Sequence, residues 1–105
     1  MQGDTRTFTH LVGGKLLAGN GQTSPVFDPS TGEVAARVAL ASAEDVRDAV
    51  QAARAALPAW AEIPPLQRAR VMFRFKALIE AHADELARII TSEHGKVLSD
   101  ARGEV

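Results

Sequence analysis

Two glycine-lysine pairs, Gly14-Lys15 and Gly95-Lys96, could hold a phosphate, because backbone N–H groups at a glycine turn and a neighbouring lysine together cradle a nucleotide. A phosphate loop of that kind needs glycine five residues earlier and a hydroxyl residue directly after the lysine. Gly14-Lys15 has Thr9 and Leu16 in those places, and Gly95-Lys96 has Ile90 and Val97. Both pairs therefore read as a hairpin turn and a helix C-terminus. A glycine-rich turn leading from a strand into a helix, the mark of dinucleotide binding, is also missing. Metal chemistry would fall to His10, His82 and His94 with carboxylates. His82 and Glu85 can share a helix face at i and i+3, but two ligands do not complete a site, so no zinc centre is expected.

The chain contains no cysteine, which removes disulfides, thiolate metal sites and every mechanism built on a cysteine nucleophile. No serine stands in a nucleophile-elbow context either. Arg68, Arg70, Arg74 and Lys76 form a local basic run. With 12 Lys plus Arg against 13 Asp plus Glu, the net charge of −1 gives no bulk attraction to nucleic acid or to an anionic membrane. The run reads as the solvated side of an amphipathic helix, with Lys76 and Glu80 as an i,i+4 pair.

The elements that would position these residues follow two periods. His10–Val12 and Lys15–Leu17 are the expected arms of a hairpin around Gly13-Gly14. Residues 19–24 read as a polar connection. Asp28-Pro29-Ser30-Thr31-Gly32 has the composition of a tight turn flanked by strands. Val34, Ala36, Val38 and Leu40 then alternate as one face of a strand. Ser42 with Glu44 and Asp45 marks a helix start, and a helix is expected from about Ala43 to Leu57, where Pro58 discourages continuation and leaves Trp60 in a connection. Its apolar stripe is Val46, Val50, Ala53 and Leu57.

Pro64-Pro65 opens a second helix with a broad apolar face made of Ala69, Met72, Phe73, Phe75, Leu78 and Ile79. Near His82 the stripe resets to Leu86, Ile89 and Ile90, and Gly95 is expected as the left-handed residue that ends the third helix. Ser99 and Asp100 look like the start of a fourth.

The length of 105 residues gives room for one modest domain, and 46% hydrophobic with 24% charged residues is a globular composition. No apolar run approaches the roughly 18 residues of a membrane-spanning helix, and Met1–Thr9 has no signal-peptide character. A soluble, cytoplasmic protein is the expectation. Leu57, Trp60, Phe73, Phe75, Ile89 and Ile90 present more apolar surface than so few elements can cover, so aggregation, oligomers or partial unfolding are expected of the isolated chain.

Phe27-Asp28-Pro29-Ser30-Thr31-Gly32-Glu33-Val34, Ala59-Trp60, Arg68, Val71-Met72-Phe73-Arg74-Phe75 and Thr91-Ser92-Glu93-His94-Gly95-Lys96 resemble, in order and spacing, the amino-terminal part of the aldehyde dehydrogenase superfamily. With Asp100-Ala101-Arg102-Gly103-Glu104-Val105 added, the chain is most similar to the CoA-acylating methylmalonate-semialdehyde dehydrogenases. The resemblance implies an α/β fold incomplete as a domain, in which short strands over about 8–40 are followed by three or more helices. Residues 1–105 would then be an amino-terminal fragment of the NAD-binding and oligomerisation region, without the catalytic domain.

In such enzymes a cysteine thiolate attacks methylmalonate or malonate semialdehyde, hydride passes to NAD, carbon dioxide is lost, and the acyl group moves from cysteine to CoA, leaving as propionyl-CoA or acetyl-CoA. NAD and CoA are thus cofactors of the full-length family, and neither is expected to bind this stretch, which should be inactive alone. Implied partners are the remainder of its own subunit and homo-oligomer partners, with no nucleic acid and no membrane. The resemblance also points to a monovalent cation held at Phe27 and Glu93. The family's usual Asn in the Asn-Pro turn is Asp28 here, and either residue makes the local turn hydrogen bond. The alternative expectation is a small helical protein-interaction module without enzymatic activity.

Overall fold

The computed structural model describes residues 5–105, which divide into two compact units, one of residues 5–27 with 34–62, the other of residues 28–33 with 63–105. The first unit holds five strands and one helix: β1 (Thr7–Phe8), β2 (His10–Val12), β3 (Lys15–Leu17), β4 (Thr23–Phe27), β5 (Val34–Ala39) and α1 (Ala43–Glu62). The second holds α2 (Pro65–Ala81), α3 (Ala83–His94) and α4 (Leu98–Glu104), together with the turn of residues 28–33.

β2 and β3 form the expected hairpin, pairing His10 with Leu17 and Val12 with Lys15 across Gly13 (φ +58°) and Gly14 (φ +76°). Two consecutive residues at positive φ need glycine to avoid a Cβ clash, which is why this dipeptide reverses the chain there. The other sheet has the order β1-β5-β4, with β5 in the middle, parallel to β1 and antiparallel to β4. Arg37 donates from Nε to Thr23 Oγ1 at 2.7 Å, tying β5 to β4 on one face. Arg6 lies over the Phe8 ring at 4.7 Å beside β1.

Three features of this unit depart from the sequence reading. Thr23 and Ser24 belong to β4 rather than to a connection, because pairing with Ala39 and Val38 supplies the backbone partners that their own polar side chains do not predict. Of the alternating set Val34, Ala36, Val38 and Leu40 only Ala36 is buried, and the other buried residue of β5, Ala39, lies outside that set. A methyl group is covered by few neighbours, whereas Val34 and Val38 need more cover than one small sheet and one helix provide. Finally, α1 runs through Pro58 to Glu62 and carries Trp60 in its last turn. Proline's fixed φ is itself helical, so the interruption is confined to one missing N–H and the crowding against the carbonyl four residues back.

Ser42 opens α1 with a reciprocal cap. Its Oγ accepts from the Asp45 N–H at 3.1 Å, while Asp45 Oδ2 accepts from the Ser42 N–H at 2.7 Å and from the Ser42 hydroxyl at 2.9 Å. The Ser42 N–H, then its hydroxyl, holds the Asp45 carboxyl below the ordinary aspartate range. Ser42→Ala leaves the Asp45 N–H without its acceptor, and a loss of about 1 kcal/mol is expected in a urea titration.

α2 begins with Pro65 at its first position, as the sequence predicts, since an N1 residue has no N–H partner to lose. α3 ends at Gly95, whose φ of +84° is left-handed and whose N–H donates to Thr91 O at 2.8 Å. α4 starts at Leu98, with Val97 and not Ser99 in the capping position. α3 packs on α4, and the two residues with no exposed surface, Ala87 and Ala101, sit one on each of these helices. The face expected to be buried on α3 is correspondingly shifted: Ile89 is exposed and Ala87 takes the centre. Alanine is the side chain that lets two short helices approach closely. No helix among the described residues is long and apolar enough to cross a membrane.

Candidate functional site

In the second unit, the two stretches that carry most of the family pattern meet. The Asp28–Gly32 turn is closed by Gly32 N–H donating to Asp28 O and by Asp28 N–H donating to Glu33 O, both at 2.8 Å. Asp28 Oδ1 accepts from the Ser30 N–H at 2.7 Å, and Thr31 Oγ1 from the Glu33 N–H at 3.2 Å. Pro29 is thereby fixed against the C-terminus of α3. A Cβ placed on Gly95 would come within 3.3 Å of both Cβ and Cγ of Pro29. Gly95 thus serves two purposes: it takes the left-handed φ that ends the helix, and it leaves room for the proline ring.

Lys96 is next in the chain. It pairs with Glu104 at the end of α4, while Arg102 Nε meets Asp84 Oδ1 at 3.0 Å, so one ion pair lies at each flank of the α3–α4 contact. The Lys96 ammonium, by hydrogen bond first and by charge second, holds the Glu104 carboxyl below the ordinary glutamate range. A lowered carboxyl pKa stabilises the fold above the pH at which an unfolded glutamate titrates, and that contribution disappears as pH falls through the folded value. The chain is therefore expected to lose stability on acidification across the ordinary carboxylate range. Glu104→Gln should flatten that part of a thermal-melt series against pH by lowering the melts near pH 7 toward the acid values, which should themselves be little changed; the effect is small because the Glu104 side chain is half-exposed.

In the first unit, the hairpin and α1 enclose a cavity of about 270 Å³ lined by His10, Leu11, Leu17, Asp45, Val46 and Asp48 among others. Its walls are mostly apolar, and of its two carboxylates Asp45 is committed to the Ser42 cap. His10 Nε2 is buried without a hydrogen-bond partner among the described residues, as are Arg68 Nε and Thr91 Oγ1 in the second unit.

The remaining candidates lie on several elements. His82 Nδ1 faces Glu85 Oε2 at 3.1 Å across the α2–α3 junction, and Lys76 pairs with Glu80 along α2, as the spacing predicts. Among the described residues no three His, Cys, Asp or Glu side chains converge as metal ligands. Phe27 ends β4 in the first unit, and Glu93 is exposed in the last turn of α3 in the second. β5 enters α1 through Leu40, Ala41 and Ser42. Each carries a Cβ where a pyrophosphate would need glycine, so this strand-to-helix turn does not fit a dinucleotide. The sequence reading missed the Pro29–Gly95 contact, although each residue was singled out for its local turn. Nothing in a linear pattern says that two turns more than sixty positions apart touch.

Among the described residues, hydroxyl and carboxylate groups cap, lysine and arginine pair, and glycines turn the chain. Comparison with known proteins gives that scaffold a setting. The chain is 46% identical to the malonate-semialdehyde dehydrogenase of Pseudomonas aeruginosa, over 94% of this chain and 20% of that protein. It superimposes on the crystal structure of the methylmalonate-semialdehyde dehydrogenase of Oceanimonas doudoroffii with a TM-score of 0.92 and 50% identity, over 95% of this chain and 20% of that one. An NAD-dependent aldehyde dehydrogenase of Sinorhizobium meliloti superimposes with a TM-score of 0.85 and 39% identity, over 95% and 21%. The chain spans about a fifth of the length of the curated relatives it matches. The aldehyde dehydrogenase family profile covers residues 16–105, and with relatives at this identity over nearly its whole length, the chain belongs to the aldehyde dehydrogenase family.

Proposed function

We propose that this chain supplies the amino-terminal scaffold of the NAD-binding and oligomerisation region of a CoA-acylating dehydrogenase acting on malonate or methylmalonate semialdehyde, and that it carries no catalysis by itself. The observation behind this reading is the pairing of high identity to semialdehyde dehydrogenases with a chain that contains no cysteine. Covalent aldehyde oxidation of this type needs a thiolate to split one hard step into two easier ones. The rest of such a subunit would bring that thiolate and the turns that hold NAD and CoA, while these helices and strands give it a surface on which to pack.

The test is NADH formation at 340 nm with malonate or methylmalonate semialdehyde, NAD and CoA. The chain alone should give the uncatalysed rate, and mass spectrometry after incubation with the aldehyde should show no thioester-sized adduct. Turnover or a covalent acyl adduct on the isolated chain would refute the proposal.

A further inference from the structure

We infer that Asn20 is a self-modification site: its side-chain amide closes on the Gly21 backbone nitrogen, releases ammonia and leaves an aspartyl or isoaspartyl residue between β3 and β4, as readily in the folded chain as in the unfolded one. Asn20 is the only asparagine of the sequence, and glycine follows it. Asparagine is thermally labile because the next backbone nitrogen can attack its amide. Glycine, having no Cβ, hinders that attack least.

A fold protects such a pair by burying it, or by engaging the attacking nitrogen and the amide in hydrogen bonds that keep them apart. Here it does neither. Residues 19–22 are exposed. A Cβ built on Gly21 would meet nothing within 4 Å, so the ring has room to close. Among the described residues neither the Gly21 N–H nor Asn20 Nδ2 makes a hydrogen bond, which leaves nucleophile and leaving group both free. The bond that the side chain does make favours the reaction: the Gln22 N–H donates to Asn20 Oδ1 at 3.0 Å. A side-chain oxygen bonded to the N–H two residues on folds the amide back over the intervening peptide. It also places a donor on the oxygen that becomes negative once the nitrogen adds.

The connection is held on both sides of the reacting pair. A Cβ on Gly19 would lie 3.1 Å from His10 Nε2 and 3.6 Å from Leu40 O, and Gln22 O accepts from the Leu40 N–H at 2.8 Å. Asn20 and Gly21 therefore occupy a short span with fixed ends, which lowers the freedom lost when the ring closes.

Water is the only co-reactant. Base removes the Gly21 amide proton, and the nitrogen lone pair forms a bond to Asn20 Cγ. The oxyanion on Oδ1 collapses, the Cγ–Nδ2 bond breaks, and Nδ2 leaves as ammonia with a proton from water. Water then opens the cyclic imide. Addition at Cγ gives aspartate; addition at the main-chain carbonyl of residue 20 gives isoaspartate, in which the backbone runs through the former side chain. Either product takes the net charge one unit below the −1 of the unmodified chain. Isoaspartate also lengthens the backbone by one methylene, which moves Gln22 relative to Leu40 and strains the bond that ties this connection to the entry of α1.

The full chain is incubated at mildly alkaline pH in buffer and in guanidinium chloride, with circular dichroism confirming helix in the first and its loss in the second. Mass spectrometry then follows amide-to-acid exchange in the tryptic peptide of residues 16–37, and an isoaspartyl-specific methyltransferase with labelled S-adenosylmethionine reports the isoaspartyl product. Exchange in buffer should be at least one-third as fast as in guanidinium chloride, with label entering that peptide. Gly21→Ala, whose methyl group has open space, should slow exchange at least tenfold while the helical signal is kept. In the isoaspartyl form the Leu40 amide should exchange with solvent at least fivefold faster.

Exchange in buffer slower than one-third of the guanidinium rate would overturn the inference, because the fold would then be protecting Asn20. A smaller loss with Gly21→Ala would overturn it as well. An isoaspartyl form whose Leu40 amide is less affected would refute the link to α1.

Discussion

Ala101→Leu is expected to undo the α3–α4 contact, lowering unfolding free energy by about 1–3 kcal/mol and releasing α4. Ala101 and Ala87 have no exposed surface, so three extra heavy atoms at either position have nowhere to go without separating the helices. α4 has only seven residues, and a helix that short has too few hydrogen bonds to offset its own nucleation cost in water. Packing on α3 is what keeps it helical. The ion pairs Arg102 with Asp84, exposed, and Lys96 with Glu104, partly covered at Lys96, together cannot replace that contact. The measurement is limited trypsin digestion alongside circular dichroism: cleavage after Arg102 should accelerate and helical signal should fall. Asp84→Asn, which removes one pair and leaves the packing, should change stability by less than about 1 kcal/mol. If Asp84→Asn costs more than Ala101→Leu, charge and not close approach holds α4.

Gly95→Ala carries the second large effect, and it acts on two elements at once. A non-glycine residue held in the left-handed region costs about 1–2 kcal/mol, and here the new methyl also meets the Pro29 ring at 3.3 Å. Relief is available only if the Asp28–Gly32 turn moves, and that turn is fixed by four hydrogen bonds of its own. The expected outcome is a drop in melting temperature larger than that of Gly32→Ala, even though Gly32 has a comparable φ of +75°, because a Cβ on Gly32 meets nothing within 4 Å. The difference between the two variants isolates the steric contact from the backbone penalty. Equal losses would mean that the Pro29–Gly95 contact contributes nothing.

Local chemistry along the chain was legible from the sequence because each signal needs only its neighbours. Gly13-Gly14 at a hairpin, Pro65 opening α2, Ser42 with Asp45 capping α1, the break at His82 and Gly95 closing α3 are each set by the steric and hydrogen-bonding properties of a few adjacent residues. The family pattern was legible for the same reason, being residues in order and spacing. The dinucleotide turn was ruled out by three residues between β5 and α1 that are not glycine.

What the sequence misread depends on distant partners. Pro58 reads as a stop in one dimension, yet α1 continues because only one backbone bond is lost there. β1 found its place beside β5, about thirty residues away, through two paired positions too short to show a period. The choice of Ala36 and Ala39 over Val34 and Val38 as the buried residues of β5 was made by how much cover the neighbouring elements supply. The joining of the Asp28–Gly32 turn to Gly95, and of Ala101's helix to Ala87's, followed from shape in three dimensions. Sequence determined which side chains could turn, cap or pair. The tertiary structure decided which of them touch, because close approach depends on how much volume distant segments leave free, and no spacing along the chain records that volume.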